Sequence, residues 1–108
     1  MAAFERTKLH KLISAHKAAH KAFTIICQRH DLAETSEVEL RDDEEREYDR
    51  LDRAETAAAL ALLSYHPQSL DECALRASYI LEAKTILNAL HTEHDFVDLF
   101  LRSFLPDA

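Results

Sequence analysis

Residues 36–66, SEVELRDDEEREYDRLDRAETAAALALLSYH, change character halfway: carboxylates crowd the first half and Ala and Leu fill the second. The stretch contains neither Gly nor Pro, and Ala, Leu, Glu and Arg are strong helix formers. It reads as one long helix, acidic and solvated at its N-terminal end and packed between neighbours at the other. Ser36, with Glu39 three residues later, has the spacing of a capping box and places the start there, with Asp42 as an equal alternative. Acids in the first turns also suit the positive end of the helix dipole. Pro67 biases His66 away from helical geometry and sets the end.

The flanking segments carry the same signal. Before the central stretch, Leu9, Leu12, Ile13, His16, Ala19, His20, Phe23, Ile26, Cys27 and His30 recur at steps of three and four, one face of a helix. Most of the lysines fall on the other face. That helix is expected over about 3–30, with DLAET at 31–35 as the connection. After Pro67, Ser69 and Glu72 form a second capping box. The apolar face behind it runs through Cys73, Arg76, Tyr79, Ile80, Ala83, Leu87, Leu90, His94, Val97 and Leu101 until Pro106 ends it.

The reading is all-α: one helical domain over 1–108, with helices at about 3–30, 36–66 and 69–105. Short links favour antiparallel neighbours in an up-down-up three-helix bundle. The central helix is then predicted to bury Leu40, Tyr48, Leu51, Glu55, Ala58, Leu62 and Tyr65.

Composition narrows function mainly by exclusion. The 108 residues include no Gly and two Pro, so glycine loops that cradle nucleotides are ruled out. A formal net charge of −7 argues against general binding to nucleic-acid backbones. Its placement is uneven: residues 1–30 hold six basic side chains against Glu5, whereas residues 31–55 hold twelve acids against four arginines. The basic first segment and the acidic second one favour packing together.

The two cysteines, Cys27 and Cys73, read as free thiols of a reducing compartment. The apolar run AFTIIC at 22–27 is too short for a signal peptide or a membrane span. A cytoplasmic protein without a membrane segment is expected.

The turn LLSYHPQSLDE at 62–72, followed by ASYIL at 77–81, resembles small uncharacterised all-helical proteins of alphaproteobacteria. The resemblance rests on a proline turn and a cap in the second half of the chain. It implies a bacterial helical protein and carries no activity, cofactor or site residue with it.

Four groups of residues ask for a role. Cys27, His30, His91 and His94 form two i, i+3 pairs that level counting brings to one end of the bundle, a set suited to zinc; ordinary packing is the weightier reading. His16 and His20, an i, i+4 pair on an apolar face, are expected to be buried and hydrogen-bonded to Tyr48, Asp52 or backbone groups. Glu55 interrupts the central helix's apolar face and is expected to pair with Arg76 or Tyr79, because an unpaired buried carboxylate is costly. The fourth group is the tail DFVDLFLRSFLP, 95–106. Level counting has it projecting past the bundle, which exposes Phe96, Val97, Leu99, Phe100, Leu101, Phe104 and Leu105 and suggests a partner surface.

No catalytic motif is present, and no cofactor is expected. The leading expectation is a non-enzymatic interaction or regulatory module, homodimeric through the tail. The alternatives are a metal-binding protein using the Cys/His set and an acidic decoy of a DNA-binding protein, in which the run DDEEREYD at 42–49 stands in for nucleic-acid charge. The acidic face could also receive a basic protein partner.

Overall fold

A computed structural model describes residues 7–36 and 42–106. Side-chain surroundings within them are given for all but residues 30–36, 42 and 43. The described residues form five helices: α1 (Lys8–Ser36), α2 (Asp42–Ser64), α3 (Leu70–Glu82), α4 (Lys84–Thr92) and α5 (His94–Arg102). The fold is all-α. The long third helix expected over 69–105 is instead three short ones, α3, α4 and α5.

α1 is longer than expected, because DLAET continues the helix rather than ending it. Asp31 to Thr35 contain no Gly or Pro, and Leu, Ala and Glu have no reason to leave a helix already propagating. Ser36 therefore closes α1 and does not cap α2, which opens at Asp42. Glu39 and Leu40 lie outside the described residues.

The two helices run against each other over most of their length. The longer α1 moves every pairing further along it than a turn near residue 33 would allow. Phe23 meets Tyr48, with ring centroids 5.2 Å apart, and Arg29 meets Glu44 at 3.3 Å. The Arg29–Glu44 pair links the basic first segment to the acidic second. Both side chains are partly solvated, so it contributes on the order of 0.2–1 kcal/mol. Within the acidic run, Arg50 Nε donates to Glu47 Oε2 at 2.8 Å.

The core gathers Leu9 and Ile13 of α1, Ala59, Leu62 and Leu63 of α2, Tyr79 and Ile80 of α3, and Ile86 of α4. Of the alanines in the second half of α2, Ala59 is buried in this core, while Ala57 and Ala61 face solvent. Phe96 and Phe100 of α5 are partly buried against the same core.

The α3 cap is formed. Ser69 Oγ accepts from Glu72 N at 3.1 Å, and Glu72 Oε1 accepts from Gln68 N at 2.7 Å, one residue earlier than in the reciprocal form of the motif. Tyr65 Oη also donates to the Glu72 carboxylate at 2.9 Å, tying the turn to the cap. Ser69→Ala is expected to cost about 1 kcal/mol, measured as a shift in urea midpoint at unchanged m-value.

The breaks at Ala83 and Glu93 reverse the tail. Ala83 (φ −84°, ψ 83°) and Glu93 (φ −115°, ψ 107°) leave helical geometry without Gly or Pro. Each closes one helix and opens the next. The Ala83 N–H donates to Tyr79 O at 2.8 Å while Ala83 O accepts from Ile86 and Leu87, and Glu93 does the same between Ala89 O and Phe96 and Val97. Burial explains the positions. Ile80 and Ile86 are both buried six residues apart, a step that would put them on different faces of a continuous helix. Leu90 to Phe96 repeats that step. Two kinks bring both pairs back to one core, and α5 lies along α2 instead of projecting beyond it.

The tail is fastened by Arg76, which is 1% exposed. Its Nη1 donates to the backbone oxygens of Leu62 (3.3 Å), Leu63 (3.1 Å) and Tyr65 (2.6 Å) at the end of α2. Leu62 O also accepts from Tyr65 N at 3.4 Å, and these oxygens gather at the negative pole of α2. The Nη2 donates to Ser103 Oγ at 3.0 Å, and the guanidinium lies 5.0 and 4.9 Å from the rings of Phe100 and Phe104. His66 Nδ1 donates to Ser103 O at 2.7 Å.

Candidate functional site

The polar groups buried at the centre of the molecule come from three helices. His16 of α1 is 1% exposed, and its Nδ1 lies 2.6 Å from Tyr79 Oη of α3. Its other ring nitrogen, Nε2, is buried without a hydrogen-bond partner among the described residues and stands 3.9 Å from Glu55 Oε1 of α2. That same oxygen is 3.1 Å from Nδ1 of His20, one turn along α1, whose side chain is about half exposed. The two imidazoles stack at 6.0 Å, and Lys17 Nζ lies 5.6 Å from the Tyr79 ring centre.

Burial is the main force on the charge states here. It pushes the His16 pKa down; Glu55 raises it in part, and His20 lowers it further. Burial also pushes the Tyr79 phenol up, reinforced by the negative charges of Glu55 and Glu82. His16 is therefore held neutral and Tyr79 protonated.

His16 forms the wall between two clefts. On its Nε2 side is an opening of about 230 Å³ that also meets Asp52, Glu55, Phe23 and Phe96. On its Tyr79 side is one of about 310 Å³, bordered by Lys17, His20, Glu82 and Lys84. Ala83 borders the second, and Thr85 borders both. The helix break that the sequence reading missed thus helps to shape the openings. The one signal for it was the six-residue step in burial across residue 83.

The expected partners are rearranged. Glu55 pairs with His20 and faces His16, not Arg76. Tyr79 reaches His16, which in turn faces Glu55. Arg76 is already committed to the end of α2 and the tail. His16 and His20 use Tyr79 and Glu55 in place of Tyr48 and Asp52. Tyr48 instead lies by Cys27, whose thiol contributes to holding the Tyr48 phenol above its ordinary range, though burial is the larger cause.

The Cys/His set is not brought together among the described residues. His91 and His94 are exposed, Cys27 is half-buried, and the side chain of His30 lies outside the described residues. Among the described residues, no three His, Cys, Asp or Glu side chains are arranged to hold a metal ion.

The tail residues divide into two groups. Phe96, Val97, Leu99 and Phe100 are half-buried. Leu101, Phe104 and Leu105 remain 58%, 46% and 58% exposed. Among the described residues, no helix is long and apolar enough to cross a membrane.

Comparison with known proteins found no matching family, no matching characterised protein and no matching solved structure.

Proposed function

We propose that the protein is a non-enzymatic interaction module of the bacterial cytoplasm, homodimeric through its C-terminal end. The observation that carries this reading is the exposure of Leu101, Phe104 and Leu105 on the turn that follows α5 and at its end. Leu70, 86% exposed, opens α3 just after the His66 turn that bonds Ser103, so a further large apolar side chain stands at the same end of the molecule. Neighbouring apolar side chains of this size are the usual material of an interface core. The base beneath them is rigid, because Arg76 and His66 both hold Ser103.

The reading differs from one built on a projecting helix. Phe96 and Phe100 serve the protein's own core, and the surface narrows to Leu101, Phe104 and Leu105. The half-buried thiols Cys27 and Cys73, not joined in a disulfide, suit a reducing compartment.

Light scattering of the full chain at tens of micromolar should give twice the mass of one chain. Replacing Leu101, Phe104 and Leu105 together by Ser should return it to one chain's mass with its helical circular dichroism unchanged. A wild-type monomer at that concentration would remove the dimer.

A further inference from the structure

The cleft on the Nε2 side of His16 has a composition the interaction reading does not use. Asp52 and Glu55 lie one turn apart on α2 and both border it, with no Lys or Arg among its lining residues. Phe23 and Phe96 provide aromatic surface, and Ile86 part of the apolar remainder. His16 stands in this wall, its buried Nε2 3.9 Å from Glu55 Oε1 and, among the described residues, without a hydrogen-bond partner. A buried polar atom left open beside a carboxylate calls for something to fill the gap.

We infer that this cleft binds a small organic ammonium ion: a protonated amine on a single ring or short alkyl stem, its nitrogen drawn to the Asp52 and Glu55 carboxylates on the α2 side, with His16 in the adjoining wall. The charge follows from two carboxylates unopposed by any lining base. The stem follows from the aromatic and aliphatic wall, since ring faces attract cations and accept apolar groups alike. A volume of about 230 Å³ is generous for a bare metal ion, and no three metal-ligating side chains converge there among the described residues. His16 contributes as an acceptor when its proton sits on Nδ1 and is donated to Tyr79 Oη. Burial, which keeps the ring neutral, preserves that lone pair. His20 Nδ1, 3.1 Å from the same Glu55 oxygen, holds the carboxylate and so positions it.

Calorimetric titration of the full chain with phenethylammonium, beside the neutral phenethyl alcohol, tests the assignment. The ammonium should bind with a defined stoichiometry of one per chain, and the alcohol at least about tenfold more weakly, a difference of about 1.4 kcal/mol. Asp52 is exposed, so Asp52→Asn should fold normally and weaken the ammonium by a similar factor. Ala89→Leu, which fills the cleft from α4, should abolish binding. In ¹⁵N spectra the Nε2 resonance of His16 should shift on adding the ammonium and stay still with the alcohol. Equal binding of alcohol and ammonium would overturn the inference by making the cleft merely apolar. So would undiminished binding to Asp52→Asn, or displacement of the ammonium by Zn²⁺ alone at stoichiometric concentration.

Discussion

Arg76→Ala is expected to destabilise the protein by roughly 3–5 kcal/mol, with the melting temperature falling on the order of 10–20 °C. A domain of this size has about 5–15 kcal/mol in all, so the loss approaches the limit of folding. The reason is the number of dependants on one side chain. Three backbone oxygens at the end of α2 and the hydroxyl of Ser103 take hydrogen bonds from it, and two Phe rings lie against it. Alanine removes the guanidinium donor from all three oxygens and opens a void beneath α5.

Two further variants separate the contributions. Arg76→Met keeps most of the volume and none of the donors, so it should lose nearly as much as Ala. Arg76→Lys keeps a charge at the negative pole of α2 but cannot fork towards both carbonyls and Ser103, so it should fall between. Hydrogen exchange gives the local readout. Amides of α5 should lose protection first and most in every variant, whereas those in the middle of α1 should follow global stability. Equal loss of protection across all helices would show that Arg76 does not specifically fasten the tail. Because Leu101, Phe104 and Leu105 stand on that segment, the proposed dimer should weaken in parallel.

The limits of the sequence reading are physical ones. Helical class follows from local preference, and α1, α2 and the Ser69 cap are set by residues near one another in the chain. Leu9, Ile13, His16 and Ile26 were legible as a buried face because three-and-four spacing records which side of a helix leaves water. Breaks at Ala83 and Glu93 are different. Alanine and glutamate favour helix, so local preference votes for continuity there, and tertiary packing of Ile86 and Phe96 overrides it. The pattern held a trace of this, since Leu87 and Val97 continue the face of an unbroken helix as well as Ile86 and Phe96 serve a broken one. Only burial decides between the two sets.

The central polar group was half legible for the same reason. His16, His20, Glu55, Arg76 and Tyr79 stood out as polar residues on apolar faces, and all except the half-exposed His20 are buried. Their partners depend on register between helices. Extending α1 through DLAET slid α2 along it and brought Glu55 to the histidines. Once Glu55 was taken, Arg76 was left for the end of α2, where backbone carbonyls rather than a carboxylate offset its charge. One undetected continuation of a helix therefore exchanged the partners of two buried ions.

Acid should weaken the fold before its carboxylates titrate, and His16 is the group responsible. Its folded pKa lies below the unfolded value of about 6.5, chiefly through burial. The unfolded chain then binds the proton more readily, so stability rises with pH across the interval between the two values. The contribution of neutral His16 is fully present above about pH 6.5 and declines as the pH falls below it, levelling off beneath the folded pKa. A single site sets the ceiling on the slope at about 1.4 kcal/mol per pH unit. Every charged neighbour enters the balance: Glu55 favours the imidazolium, while His20 at 6.0 Å and Lys17 beside the Tyr79 ring oppose it. Urea midpoints between pH 7.5 and 5.0, taken with a chelator present, should fall steadily in the wild type. His16→Gln, which cannot acquire a proton but can still reach Tyr79, should start lower at pH 7.5 and lose less on acidification. Parallel curves for the two proteins would mean that the acid sensitivity arises elsewhere among the seven histidines and that burial does not hold His16 neutral.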